Sequence, residues 1–294
     1  MTAIDISRET TNVIFDKEIS SEIISKAIDE SAIMQLAPKM QIAGNGKKYQ
    51  TITGDPVPEW VGETEAKPVG KFSFGTKEVE PYKMALIVPF SMEFRRDKNA
   101  LYNECVSRLP KLFGKKFDAT VMSTTAPGQN FDVLGGVQAV SLTPTGSNTM
   151  YDQFIAVDQL IGNNDGVMSG IALAPQGRSM VLGAKDGNQH PLFTAGVQSG
   201  TVNPILGANV SVKKGVYVAG SPAVVGLAGD FDNCAWGAVE SIQGAISDQA
   251  TLSYTEGNDT ITLNLWQQNM FAVRFEIELA FMVRDANTFV RLTA

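Results

Sequence analysis

From Phe271 to Val283 every odd-numbered residue is apolar: Phe271, Val273, Phe275, Ile277, Leu279, Phe281 and Val283. Arg274, Glu276 and Glu278 lie between them. Strict period two over 13 residues describes one long strand with one face in a core and the other in water. A helix, with 3.6 residues per turn, would scatter the same residues around its circumference. Such a strand needs a sheet beside it and a second layer over its apolar face. Asp285-Ala286-Asn287 then turns the chain into a final strand over Phe289–Thr293.

Residues 45–84 carry the opposite signal. Only 12 of these 40 residues are apolar, six lysines face six carboxylates, and Gly and Pro recur throughout. Phe72 and Phe74 alternate with polar residues, so the segment reads as a long two-stranded hairpin with a ragged outgoing arm. Arms of about 20 residues would reach at most about 65 Å. A ribbon of that kind is marginal alone in water, so the expectation is that it lies on another subunit. Its balanced charges suit salt bridges to an identical neighbour as well as a solvated surface.

Outside these segments the pattern is mixed. Asp16 is placed as the N-cap of an amphipathic helix with Ile19, Ile23, Ala27 on one face and Ile24, Ile28 beside them. It reads either as a helix on its own domain or as an arm on a neighbouring chain. Met84 to Val88 reads as a buried strand closed by Pro89. A long helix is expected from Asn99, with Leu101, Cys105, Leu109, Leu112, Phe113, Phe117 and Val121 on one face and a kink at Pro110. Arg95, Arg96 and Lys98 cluster just ahead of it and form a candidate interface patch. Residues 125–150 look like a boundary. Thr149 and Asp152 then form a capping box for a helix with Phe154, Ile155, Val157, Leu160 and Ile161 inward. A buried strand at 170–174, a short helix at 176–183, and strands at 210–218 and 223–227 complete the reading.

Composition excludes several functions. A net charge of -7 disfavours a duplex-wrapping protein, which needs clustered Lys and Arg. The single histidine, His190, and the two cysteines, Cys105 and Cys234, rule out a histidine-rich metal site and a disulfide scaffold. No GxSxG elbow is present. Gly44-Asn45-Gly46-Lys47-Lys48 imitates a phosphate loop but lacks its first glycine and its Ser/Thr, and reads as a turn. Asp5 and the missing apolar core argue against a signal peptide at the N-terminus, and no 18-residue apolar run exists. No cofactor, metal or membrane partner is expected. The one enzymatic alternative is an α/β enzyme working at the carboxylate pair Glu63 and Glu65.

Several stretches, taken in order, then carry a resemblance. They are Trp60-Val61-Gly62-Glu63 with Lys67-Pro68 and Phe72-Ser73-Phe74, and Lys83 through Ser91 leading by Arg95-Arg96-Asp97 into the long helix. Ala174-Pro175, Leu206-Gly207, Gly229-Asp230-Phe231, Gln268 through Glu276 and Phe289-Val290-Arg291-Leu292 follow. From about residue 15 to its C-terminus the chain resembles the tailed-bacteriophage major capsid proteins of the Hong Kong 97-type fold.

The resemblance implies an α+β fold with an N-terminal arm (1–44), an extended loop (45–84), a peripheral domain with a spine helix (85–139), an axial domain (140–262) and peripheral C-terminal strands (263–294). It implies a major capsid protein that assembles with itself into pentamers and hexamers of an icosahedral head shell. That shell would enclose bacteriophage DNA without gripping it, in a virion assembled in the host cytoplasm. Portal and decoration proteins are further partners, and the short N-terminus implies a separate scaffolding protein or none. An encapsulin-like compartment shell shares the fold and is the alternative. Trp60, Glu63, Lys67, Phe72, Phe74, Arg95 and Arg96 are the expected intersubunit residues. In the family's type member a loop lysine is joined to an asparagine with a glutamate's help. The matching positions are Lys67, Asn269 and Glu276, although relatives commonly carry similar residues without the bond.

Overall fold

A computed structural model describes residues 26–294, apart from positions 55, 65, 98, 145–147, 187, 189, 193–203, 240–242 and 258. The expected helix from Asp16 therefore lies mostly outside the described residues. What is described begins with helical residues 26–30 and α1 (Ala32–Leu36), then β1 (Lys39–Met40), β2 (Lys47–Gly54), β3 (Ser73–Val79) and β4 (Tyr82–Ser91). The short α2 (Met92–Asp97) and the long α3 (Asn99–Val121) follow. A long connection with β5 (Ala139–Ser141) leads to α4 (Met150–Gly162), β6 (Gly170–Leu173), α5 (Pro175–Leu182), β7 (Asn209–Val212) and β8 (Val224–Gly229). The remaining strands are β9 (Cys234–Ala238), β10 (Gln243–Ser247), β11 (Thr251–Glu256), β12 (Asp259–Asn264), β13 (Met270–Val283) and β14 (Phe289–Thr293).

β13 is the centre of the first sheet. β4 runs antiparallel along one side of it, from Ser91 opposite Met270 to Tyr82 opposite Leu279. β10 and then β9 occupy the other side, and β1 adds to β9 in parallel. All seven odd-numbered residues from Phe271 to Val283 are buried, as the alternation requires. α3 covers them with Leu109, Phe113, Phe117 and Val121, which recur every fourth residue. Phe117 stands edge-on to Phe281 with centroids 5.8 Å apart. Burying each such ring contributes roughly 1.5–3 kcal/mol.

Three details differ from the sequence reading. The inward face of α3 also takes Pro110, Gly114 and Asp118, one step round from the leucine–phenylalanine row, which leaves Leu112 exposed. Pro110 lies inside the helix, as read. Pro89 does not close β4 but sits inside it, opposite Ala272. β4 is an edge strand, so the N–H that proline lacks would have pointed away from the sheet. β4 is also half-buried rather than buried, with alternating exposure.

The even face of β13 is wet only in its middle, at Arg274, Glu276 and Glu278. Toward its C-terminal end Ala280 and Met282 are buried beneath Val79, Met40, Ile42 and Tyr49. The base of the ribbon formed by β2 and β3 is thus seated on the far side of the sheet from α3.

The second sheet has the order β5-β14-β8-β6-β7. β6 and β8 are buried along their whole length, in line with the continuous apolar runs that form them. α4 starts in the expected capping box: the Asp152 carboxylate accepts from the Thr149 backbone at 2.7 Å. Phe154, Val157 and Ile161 point inward against Ile171, Leu173, Val290 and Leu292, whereas Ile155 is exposed. The expected strand at 210–218 ends at Val212 and passes into a 3-10 turn at Lys214–Val216, whose Val216 is buried. Sheet membership does not follow boundaries at 140 and 262, because β9 and β10 belong to the first sheet and β14 to the second.

Candidate intersubunit surface

β2 and β3 pair antiparallel, with Lys47 opposite Val79 and Ile52 opposite Phe74. The ladder is shorter than the expected hairpin. Positions 56–64 and 66–72 are not in strands, and the pairing shifts register between Ile52 and Gly54. Proline at 56, 58 and 68, with glycine at 62 and 70, cannot sustain a ladder there. The two legs touch, since a Cβ on Gly70 would fall 2.2 Å from the Cβ of Pro56. Only glycine fits at that neck.

The base of the ribbon is fastened by a buried residue and a polar knot. Val79 is 1% exposed. Lys77 Nζ lies 2.6 Å from Asp132 Oδ2 and also donates to the Val283 carbonyl. Asp132 in turn accepts the Val283 N–H at 2.7 Å. One carboxylate therefore ties the outgoing strand of the ribbon to the end of β13. Lys48 pairs with Glu78 directly across the ladder, and that carboxylate raises the Lys48 pKa.

The tip is the reverse of the base. Trp60 is fully exposed, and Val57, Val61, Val69, Phe72 and Phe74 are exposed with it. Glu63 and Lys67 share that surface and are exposed. So many apolar side chains on one protrusion mark an interaction site rather than ordinary surface, because isolated exposed residues do not gather this way. A base fastened to the sheet and a tip with its apolar side chains exposed is the arrangement needed to reach a neighbour.

Arg95 and Arg96 lie just ahead of α3, as read, and also form the last turn of α2, where cations favour the C-terminal carbonyls. Arg96 pairs with Asp97 at 2.8 Å, and the Arg95 guanidinium lies 5.5 Å from the Phe271 ring centroid. Lys98, like Glu65 of the carboxylate pair, falls outside the described residues. Asn269 precedes β13 in a left-handed turn, φ 54°, and its carbonyl accepts the Met92 N–H at 3.1 Å. Glu276 is engaged by Arg274 at 3.2 Å and Lys83 at 3.6 Å. Seven strand residues separate Asn269 from Glu276 by roughly 20 Å, so one subunit does not bring them together.

The sequence reading missed the anchors. Lys77 and Asp132 are 55 positions apart, and nothing local pairs them. Asp118 gave a faint signal, as a carboxylate on the inward stripe of an amphipathic helix. Among the described residues no cluster of three or more His, Cys, Asp or Glu is placed to hold a metal ion. Among them, too, no helix is long and apolar enough to cross a membrane.

A spine helix laid on a long strand, a second sheet, and an anchored ribbon with a bare apolar tip define a structural, self-associating subunit of the Hong Kong 97-type fold. The chain belongs to the phage capsid family, which it matches over residues 11–294. It is 30% identical over 287 residues to the probable major capsid protein gp17 of Mycobacterium phage D29, covering 95% of this chain and 89% of the relative. It is 23% identical to the major capsid protein of Staphylococcus phage 80alpha over 279 residues, covering 94% and 83% of the two chains. A solved structure from Mycobacterium phage Ogopogo superposes with a TM-score of 0.73 at 16% identity, covering 90% of this chain and 92% of that one. One from Gordonia phage Cozz gives 0.71 at 18%, with 90% and 86% covered. These relatives are phage proteins of a structural family, so the compartment-shell alternative is not favoured.

Proposed function

We propose that this chain is the principal subunit of an icosahedral bacteriophage head, closing into pentamers and hexamers around a DNA genome in the host cytoplasm. The exposed Trp60-bearing tip on a fixed base carries the reading. A neighbour that covers these six exposed apolar side chains gains roughly 1.5–3 kcal/mol for each large one buried. Trp60, Phe72, Phe74, Glu63, Lys67, Arg95 and Arg96 are the residues assigned to that contact. The arm is assigned to 1–44 and the extended loop to 45–84. The peripheral part is built on β13 and α3, and the axial part on the second sheet. Scaffolding, portal and decoration proteins are the further partners of such a shell. No catalytic activity is assigned, and packaged DNA is enclosed without a dedicated binding site.

Negative-stain imaging of the purified chain tests this directly. Closed particles of uniform size, with nuclease-protected DNA inside those from infected cells, are expected. Small monomers with any turnover at Glu63 would defeat the proposal.

A further inference from the structure

A second ribbon, β11–β12, is only partly covered by the described residues: Leu252, Ile261 and Leu263 are half-buried and Tyr254 is exposed. Its register places Leu252 opposite Leu263 and Tyr254 opposite Ile261. The alternate pairs are Thr251 with Asn264, Ser253 with Thr262, and Thr255 with Thr260. One face is therefore apolar and the other is made of hydroxyls and an amide. None of the four apolar residues belongs to the buried clusters of the subunit, and Tyr254 is exposed. A two-stranded ribbon of six residues a side is marginal without something against its apolar face.

Charge indicates what that something is. Residues 215–273 contain no Lys or Arg but six carboxylates, among them Asp248 and Asp259 at the two ends of the ribbon, both exposed. A cationic surface elsewhere in an assembly would complement it. The same chain offers it on α3, where Arg108, Lys111, Lys115 and Lys116 are exposed around the equally exposed Leu112. The stripe from Arg108 to Lys116 is about 12 Å long, which fits within the roughly 20 Å of the ribbon. Lysine and arginine stems can lie along an apolar face while their heads reach carboxylates at its margin, and a cation over Tyr254 adds to the attraction. The solvent face of α3 and the apolar face of β11–β12 are complementary in both respects.

We propose that β11–β12 docks, apolar face inward, on the Arg108–Lys116 stripe of α3 in a second copy of this chain. The proposal rests on the shell reading above, since it needs copies packed side by side. Its test uses the full chain in three forms: Asp259→Lys, the pair Lys111→Glu with Lys115→Glu, and all three together. Closed particles are counted by electron microscopy, with circular dichroism confirming a folded subunit. The first two forms should yield at least tenfold fewer particles, and the combined form should recover most of the loss. A further form, Tyr254→Cys with Leu112→Cys, should run as disulfide-linked multimers after mild oxidation of particles. Variants that assemble like the wild type, or a double-cysteine form that stays monomeric on the gel, overturn the docking. A wild-type chain that makes no particles overturns instead the shell reading on which it stands.

Discussion

The hydroxyl of Ser31 donates to the carboxylate of Asp118, two residues 87 positions apart and both 0% exposed. The same carboxylate accepts the N–H of Ala32 at 2.8 Å and of Ile33 at 3.3 Å. It thereby holds the start of α1 against the spine. The preceding turn lies on Gly114, where a Cβ would fall 2.2 Å from the Ala27 carbonyl, and Lys213 donates to the Asp29 carbonyl from the other side. Burial pushes the Asp118 pKa up to about 7, against the opposing pull of Ser31, Ala32, Ile33 and Lys213.

That shift fixes a pH dependence. In the unfolded chain Asp118 titrates near 3.9, so between about pH 4 and 7 the folded subunit holds a proton that the unfolded one has lost. By linkage this contribution is fully present below pH 4 and is lost as the pH rises toward 7, an order-of-magnitude total of ~4 kcal/mol. Asp118→Asn should flatten the stability of the subunit over this window in urea titrations. Asp118→Ala, which strands three buried donors, should cost about 2–4 kcal/mol. An Asn variant with an unchanged pH profile would contradict the assignment.

The Lys77–Asp132–Val283 knot makes a second prediction. Asp132→Ala removes the acceptor of a buried-end backbone N–H and the partner of a half-buried lysine, so a loss of about 1–3 kcal/mol is expected. Hydrogen exchange should quicken in β2 and β3 while α4 and β6 stay protected. Uniform loosening of both sheets would mean that Asp132 supports the core rather than the ribbon.

How much of this was legible follows the range of each interaction. The β13 alternation, the α4 capping box and the inward stripe of α4 are local patterns, and each is visible in consecutive residues. The ribbon was legible only by what it lacked, a core of its own. Its anchor was not legible, because Val79 meets Met282 and Lys77 meets Asp132 through the tertiary fold alone. Leu112 was misread for a subtler reason. An i, i+3, i+4 pattern leaves the centre of the buried face free to rotate, and Pro110 and Asp118 moved it away from the leucine.

The anchored base changes how the loop should be shortened. Removing the whole of 47–82 would strip Val79 and Tyr49 from Ala280 and Met282 and destabilise the sheet beneath. Replacing positions 56–72 by a short Gly/Ser link keeps the ladder and the knot but removes Trp60, Lys67 and Phe72. That subunit should melt within about 1 kcal/mol of the full chain, since surface residues contribute little to stability. It should form no closed shells by sedimentation. Particles of normal size would show that the tip is not an assembly contact.

Arg108, Lys111, Lys115 and Lys116 form too short a cationic stripe to hold duplex DNA on a chain of net charge -7. Four phosphate contacts at most, opposed by 31 carboxylates, leave weak and salt-sensitive attraction. No retardation of duplex DNA by the free subunit is expected at physiological salt. A micromolar dissociation constant with a steep salt slope would overturn this.

The last prediction concerns Lys67, Asn269 and Glu276. Joining lysine to asparagine needs a neutral amine beside the amide carbon and a carboxylate free to take the proton, with ammonia leaving. Lys67 is on an exposed tip of the subunit, remote from the buried setting this chemistry needs. Asn269 is held in a left-handed turn beside the start of α2, so its position is fixed before any partner arrives. Glu276 is the weak link of the three. Arg274 at 3.2 Å and Lys83 at 3.6 Å already occupy its carboxylate oxygens. A base so engaged serves the sheet, tying β4 to β13, rather than the chemistry. Particles boiled in denaturant should therefore run as a single 31.6 kDa band. A ladder of multimers that disappears in Lys67→Ala would show that assembly frees Glu276 from its partners and that the bond forms after all.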